Sequence, residues 1–149
     1  MDEIYGMIKA HLATAVPFAS HAGVEVTAIG DGVAEARLEQ TGTSVNHIGS
    51  QHAGALFTLG EAASGGAMSG ALAAIILECT PVAANATIAY KKIAKGTITA
   101  HARVSEPGAA LIERIKEDGK AAFDVVVDMT NEAGEEVATM TVAWSVRKN

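Results

Sequence analysis

The feature that most constrains this chain is an apolar run, rich in glycine and alanine, from Ile48 to Leu77. Its one Asp, Glu, Lys or Arg is Glu61. A helix that is apolar around its circumference has to be buried, so the run predicts a central helix covered by a curved sheet. Removing a carboxylate from water costs several kcal/mol unless it is paired or protonated. Glu61 is therefore the first candidate for chemistry, and a partnered structural acid or a solvated acid at a helix kink is the alternative.

The same run is long enough to raise the question of a membrane span, since about 20 apolar residues cross a bilayer. Its composition argues against that interpretation. Glycine and alanine favour insertion far less than leucine or isoleucine, and a carboxylate near the middle adds a further penalty. We therefore expect no membrane span.

Composition bounds the remaining possibilities. The 149 residues suit one domain covering residues 1–149, and 49% hydrophobic against 19% charged residues indicates a folded chain. The net charge of -6 argues against nucleic-acid binding, which needs an excess of Lys and Arg on one face. The lone Cys79 excludes an intrachain disulfide and suits a reducing compartment. Residues 1–3 lack the start of a signal peptide, so we expect a cytoplasmic protein.

Hydrophobic periodicity predicts the order of the elements. Apolar residues at helical spacing predict a first helix that Pro17 ends, and alternation around Gly30-Asp31-Gly32 predicts a hairpin. The central helix should kink or end near Gly70 and continue as a helical extension to Cys79, and a short helix should lie between Pro107 and Gly119. Period-two patterns predict four more strands, at Val82 to Lys91, Thr97 to Ser105, Ala121 to Met129 and Glu136 to Val146.

This order predicts an α+β domain in which six mostly antiparallel strands wrap the central helix. Along one strand, Ile98, Ala100 and Ala102 should face inward while His101 and Arg103 face outward. An edge strand of such a sheet stays open to a second copy, so we expect a homodimer, or a homotetramer built as a dimer of dimers.

The segment from Asn46 to Glu61, NHIGSQHAGALFTLGE, resembles the signature of hotdog-fold acyl-CoA thioesterases of the phenylacetate-degradation (PaaI-like) type. In that family an Asn is followed six residues later by His-Gly-Gly at the mouth of the central helix, and an acid follows nine residues after the His. Asn46, His52 and Glu61 keep both spacings. The resemblance extends from Val24 to Val146 and implies the hotdog fold.

The resemblance also implies roles for these residues. The backbone N–H of Ala53, beside His52 and Gly54, would polarise the thioester carbonyl at a helix N-terminus. Asn46 would assist or orient water. Glu61 of the facing subunit would act as a general base or as a nucleophile, and the residues leave both roles open. The implied substrate is an acyl-CoA, so coenzyme A is part of the substrate and no metal or redox cofactor is expected.

Three departures from the family pattern bear on activity. The acid is Glu61 where Asp is more common, which adds a methylene of reach. Ala53 replaces the first glycine of the triplet, which keeps the N–H but adds a methyl group where the thioester approaches. Some members place Thr or Ser one turn after the acid, where this chain has Gly65, and Ser64 and Ser69 are near substitutes. A non-catalytic acyl-CoA or lipid-binding module is therefore the alternative function, and a hydratase or dehydratase on the same fold is a third.

Simpler explanations exist for the individual residues. Asn46 alone would cap a turn, and His52 alone would hold the loop against the helix start. Metal ligation by His47, His52 and Glu61 is not expected, because their spacings do not match the common zinc patterns.

A basic window offers a place for the phosphates of coenzyme A. From Cys79 to Ser105 the chain has no acidic residue, although it is acidic overall. The window carries four cations that would favour binding of a phosphorylated ligand and steer its approach. An ordinary solvated strand end is the equally weighted alternative. The cations are Lys91, Lys92, Lys95 and Arg103.

Overall fold

The computed structural model describes residues 2–149, which form helices around and beside one sheet. The α-helices are α1 (Asp2–Ala15), α2 (Pro17–Ala22), α3 (Ala53–Ala71) and α4 (Gly108–Asp118), and a 3-10 helix covers Ile76–Glu78. The strands are β1 (Val24–Gly30), β2 (Val33–Leu38), β3 (Cys79–Tyr90), β4 (Ile98–Val104), β5 (Lys120–Thr130) and β6 (Glu136–Lys148).

All six strands form one antiparallel sheet in the order β1-β2-β4-β5-β6-β3. Local turn chemistry sets the hairpins. Gly32 and Gly134 take positive φ values of 70° and 80°, which L side chains rarely adopt, in the turns after β1 and after β5. The Asn131 side-chain oxygen accepts hydrogen bonds from the N–H groups of Ala133 and Glu135 in the second turn. The predicted hairpin around Gly30-Asp31-Gly32 is confirmed.

The sheet curves around α3, which packs against five of its strands. One face of the helix is buried in the core with Leu56, Leu59, Ala63 and Ala67. Glycine permits the close approach, because a Cβ at Gly70 would overlap the carbonyl oxygen of Gly30 in the β1–β2 turn. The predicted α+β hotdog arrangement is confirmed, and so is the alternation along β4.

Two predictions about helix ends need correction. Pro17 ends α1 as expected but also begins α2, because proline suits the first position of a helix. The predicted helical extension to Cys79 is wrong. Helix α3 ends at Ala71, and the N–H groups of Ile75 and Glu78 bond carbonyl groups three residues earlier in tight turns.

Strand β3 begins at Cys79, three residues earlier than predicted, and contains Pro81. Proline is tolerated there because β3 lies at the edge of the sheet, paired with β6 only. Of its twelve residues, none of which is charged, Cys79 alone is buried. The other edge strand, β1, is covered by α1 and α2, so β3 is the exposed edge.

Within residues 2–149, no helix is both long and apolar enough to cross a bilayer.

Candidate functional site

The loop before α3 is organised by the side chain of Asn46. Its Oδ1 accepts hydrogen bonds from the N–H groups of Ile48 and Ser50, each at 3.0 Å. Its Nδ2 donates to Ser50 Oγ at 2.9 Å and to the Gln51 carbonyl at 3.4 Å. The side-chain amide therefore uses both its donor and its acceptor groups within the loop. These bonds stabilise the loop conformation that places His52 at the start of α3.

His52 is the N-cap of α3. Its Nδ1 accepts a hydrogen bond from the Gly54 N–H at 2.8 Å, which satisfies one of the helix's first donors. The preceding donor, the Ala53 N–H, is left free, since within residues 2–149 no acceptor is bonded to it. The phenol of Tyr90, from the end of β3, donates to the Ala53 carbonyl at 3.0 Å. This carbonyl shares a peptide group with the capped Gly54 N–H, so His52 and Tyr90 together anchor the first turn of α3.

A shallow cavity of about 360 Å³ opens at this helix start, and we call it the helix-start cavity. Asn46, Ala53 and Tyr90 line it, together with Lys91 and Lys92. A helix N-terminus carries partial positive charge, so a free N–H here suits an oxygen that develops negative charge.

The structure pairs most of the predicted cations with acids. Lys91 Nζ lies 2.5 Å from Glu136, and Lys92 Nζ lies 2.7 Å from Glu135. Both pairs are exposed, and such pairs contribute little stability, about 0–1 kcal/mol each. A phosphate could therefore replace either carboxylate at small cost.

The other two cations lie apart from the helix-start cavity. Arg103, on the outer face of β4, forms an ion pair with Asp128 at 2.8 Å and lines a different cavity beside His101. Lys95 is exposed in the connection between β3 and β4. The four cations thus do not converge on one ligand site within the chain.

Glu61 lies in a separate cavity of about 610 Å³, the Glu61 cavity, between α3 and the N-terminal helices. Burial raises the pKa of its carboxyl, and neither a charge nor a hydrogen bond opposes that shift. Gly65, one turn on, keeps this face of α3 flat beside the Trp144 ring. Glu61 is therefore a desolvated carboxylate without a bonded partner in the described chain.

Ser64 lies with its side chain in the core. The residue is fully buried, and its hydroxyl donates to the Glu61 carbonyl at 2.7 Å and accepts from Trp144 Nε1 at 3.1 Å. Those bonds fix α3 against β6. Ser69, also buried, lines the Glu61 cavity.

The two halves of the predicted site do not meet within one chain. Glu61 is eight residues after Ala53, which separates their backbones by about 12 Å along the helix, and they line different cavities. Among residues 2–149, no group of three His, Cys, Asp or Glu side chains is arranged to hold a metal ion.

Sequence reasoning missed three residues at these cavities: Tyr90, Trp144 and Gln51. Gln51 is buried and donates to the Leu38 and Gly96 carbonyls, while its Oε1 has no partner. A buried amide in a loop leaves no periodic signal. The two aromatic residues could have been singled out by their rarity. Tyr90 and Trp144 are the one Tyr and the one Trp after residue 5, and each lies in a predicted strand.

Family comparison covers almost the whole chain. Residues 6–146 match a family described as a domain of unknown function, DUF4442. The chain belongs to this family. A comparison with the curated proteins finds no match.

Solved structures share the fold at low sequence identity. A Pseudomonas aeruginosa protein of unknown function, described as a "probable thioesterase", is 27% identical over 97% of this chain and 95% of that one, with a TM-score of 0.80. The E. coli PaaI protein from the phenylacetic acid degradation operon is 20% identical over 99% and 95%, with a TM-score of 0.74. A hypothetical thioesterase from Streptococcus pneumoniae, solved with coenzyme A, is 22% identical over 92% and 98%, with a TM-score of 0.69. The resemblance to hotdog thioesterases is confirmed for the fold.

Proposed function

We propose that the chain is an acyl-CoA thioesterase whose active site forms between two copies. The observation that carries the proposal is the Glu61 carboxylate, desolvated and without a bonded partner in a ligand-sized cavity. Burial raises the pKa of this carboxyl above its usual value, which makes the ionised form a stronger proton acceptor. Structural neighbours described as thioesterases, one of them solved with coenzyme A, support the reaction class.

The exposed edge strand supports pairing of two copies. Strand β3 presents an unpaired, uncharged edge in which Val82 and Tyr90 are 56% and 49% exposed. Such an edge is a template for a second strand. Pairing of β3 with its symmetry mate would continue the sheet and bring α3 of each copy near the other, so that Glu61 of one subunit faces Ala53 of the partner subunit.

The reaction then follows from the groups present. Glu61 takes a proton from water, and the resulting hydroxide attacks the thioester carbonyl carbon. The free Ala53 N–H of the partner subunit donates to the oxyanion. When that intermediate collapses, the C–S bond breaks and the proton on Glu61 passes to the sulfur of coenzyme A. A free acid and coenzyme A leave, and Glu61 is again ionised.

Two substitutions test these roles. Glu61→Gln keeps the size of the side chain and removes the base, so kcat should fall by about 10²-fold or more, while Glu113→Gln on the exposed face of α4 serves as control. Ala53→Pro deletes the N–H at a position where proline suits a helix, and His52 (φ -65°, ψ 141°) already has the extended backbone that precedes proline. Loss of one oxyanion donor should lower kcat by about 10²–10³-fold.

The assay follows free thiol released from a panel of acyl-CoAs, with circular dichroism confirming that each variant folds. Ala53→Gly keeps the N–H and removes the methyl group, so it should match or exceed the wild type. The kcat/KM of the wild type should rise with pH through the raised pKa of Glu61, because the base acts only when ionised. Turnover of Glu61→Gln within a few-fold of wild type would refute the proposal.

The general-base and nucleophile roles of Glu61 differ in the fate of the water oxygen. Repeated turnover in ¹⁸O water would label the Glu61 carboxylate if an acyl-glutamyl anhydride formed and was hydrolysed at the protein carbonyl. We expect the label in the product acid alone, as read by mass spectrometry of the peptide that contains Glu61.

One observation favours a non-catalytic acyl-CoA-binding module. Both sides of the Asn46 amide are used within its own loop, so it offers no free donor to a thioester or to water. Binding of acyl-CoA to the wild type without release of thiol would establish that alternative.

A further inference from the structure

The N-terminal helix packs on the body of the protein without burying any of its residues fully. Helix α1 carries Ile4, Ile8 and Leu12 at helical spacing on one face, yet it has no buried residue. It packs against β1 and α3 at the sides of the Glu61 cavity. An apolar helix face that stays half-exposed above a cavity gains burial when an apolar ligand fills that cavity.

The Glu61 cavity is a suitable size for a small molecule and has a mainly apolar wall. Its volume of about 610 Å³ lies within the usual range of ligand sites, about 300–1,000 Å³. Small residues of both helices line it, Ala62 and Gly65 from α3 and Ala10 and Ala13 from α1. Its charged lining residues are Lys9, Glu25 and Glu61. One cation beside two acids does not suit phosphates, whereas the apolar wall suits a hydrocarbon.

The space continues beyond the Glu61 cavity. A second cavity of about 770 Å³ shares Leu12, Ser69 and Pro81 with it and extends past Ile4 to Leu77. The two cavities therefore adjoin along α1, whose 14 residues measure about 21 Å. A short or rigid acyl group would leave most of that length empty, but an extended aliphatic chain would occupy it.

We infer that this space, the α1 channel, holds the acyl chain of the substrate and that the preferred substrates carry long aliphatic chains. The inference rests on the proposed function, since it places the thioester at the Glu61 end of the channel. The acyl chain then lies under α1 of the subunit that supplies Glu61. The coenzyme A portion leaves toward the helix-start cavity of the partner subunit, which is lined by Lys91 and Lys92, whereas Lys9 is the one lysine that lines the channel.

Chain-length dependence tests the channel. From butyryl-CoA to palmitoyl-CoA, kcat/KM should rise by up to about fourfold for each methylene that becomes buried, and benzoyl-CoA and phenylacetyl-CoA should be poorer than decanoyl-CoA. Ala13→Trp places an indole in the channel from an exposed position of α1. It should lower the ratio of decanoyl to butyryl activity by about tenfold or more. Ala15→Trp, on the same helix but outside the lining of both cavities, should keep the wild-type ratio.

A binding measurement separates this inference from the proposed reaction. S-decyl-coenzyme A is a thioether that cannot be hydrolysed, and calorimetry should show it binding to wild type and Ala15→Trp at least tenfold more tightly than to Ala13→Trp. That result supports the channel even if no acyl-CoA is hydrolysed. Equal binding by all three, or equal chain-length profiles, would overturn the channel and leave thioesterase activity intact. A change of oligomeric state in Ala13→Trp with unaltered binding would make the space an interface between copies and would also overturn it.

Discussion

Alanine substitutions at two glycines of α3 should change stability in opposite directions. At Gly65 an added Cβ would lie 3.7 Å from the Trp144 ring, an ordinary contact. At Gly70 it would overlap the carbonyl oxygen of Gly30 and lie 3.0 Å from Ile29 Cγ2. The first site has room for a methyl group, and at the second the obstacle is backbone, which cannot turn aside as a side chain does.

The magnitudes follow from helix propensity and overpacking. Alanine is about 1 kcal/mol better than glycine inside a helix, so Gly65→Ala should gain about 1 kcal/mol and raise the Tm by about 2–4 °C. Overpacking costs about 1–3 kcal/mol, and a backbone obstacle places Gly70→Ala at the upper end. After the same propensity gain, Gly70→Ala should lose about 2 kcal/mol and about 4–8 °C in Tm.

Differential scanning calorimetry at one protein concentration measures both changes, because the Tm of an oligomer depends on concentration. Urea unfolding monitored by Trp144 fluorescence provides a second measure. If Gly70→Ala were as stable as Gly65→Ala, α3 would not lie against the β1–β2 turn as described. The placement of Glu61, which is on the same helix, in its cavity would then be wrong as well.

Three further substitutions test the groups around the site. Glu61→Gln should stabilise the fold at neutral and higher pH, because burial raises the folded-state pKa of Glu61 and its ionisation then opposes folding. The gain in the free energy of unfolding should vanish below the ordinary pKa of a glutamate and grow as pH rises through the raised pKa. Urea unfolding at several pH values measures it, and a difference between variant and wild type that did not change with pH would contradict this reasoning. Ser64→Ala should cost about 1–3 kcal/mol, since the buried Trp144 N–H loses its acceptor, and should leave kcat near wild type. A large fall in kcat with unchanged denaturation would make Ser64 catalytic instead. His52→Ala should lower the free energy of unfolding by about 0.5–2 kcal/mol, because it removes the cap on the Gly54 N–H. His52→Asn, which can also cap, should recover much of that stability in the same denaturation assay. Equal losses of stability in both variants would show that the cap is not the reason.

The elements were predictable where the signal is local. Alternating apolar and polar residues and the turn glycines Gly32 and Gly134 lie within a few residues of each hairpin, so the strands there could be placed from the sequence. Helix α3 ends at Ala71, beside the predicted end near Gly70. The path of the chain after α3 was not predictable, because residues 72–75 are apolar and still compatible with a helix in sequence. In the structure Leu72, Ala73 and Ile75 are buried while tight turns replace the helix, so tertiary burial decides the path that local sequence leaves open.

The candidate site is also predictable only in its local part. The spacing of Asn46, His52 and Glu61 is visible in the sequence, but the geometry of the site depends on contacts between residues that are distant in the chain. The basic window lacks acids in sequence, yet the pairing of β3 with β6 brings Glu135 and Glu136 beside its first two lysines. No local pattern could reveal those ion pairs or the cavity beneath α1, because residues more than forty positions apart build them.

The most direct test of the central claim is to mix two inactive variants. If Glu61 of one subunit acts with the Ala53 N–H of the partner subunit, a dimer of Glu61→Gln with Ala53→Pro has one site with both groups intact and one site with neither. Unfolding and refolding an equal mixture should therefore restore about a quarter of wild-type thiol release, since about half the dimers are mixed. A refolded mixture no more active than its two parents would contradict a site shared between subunits.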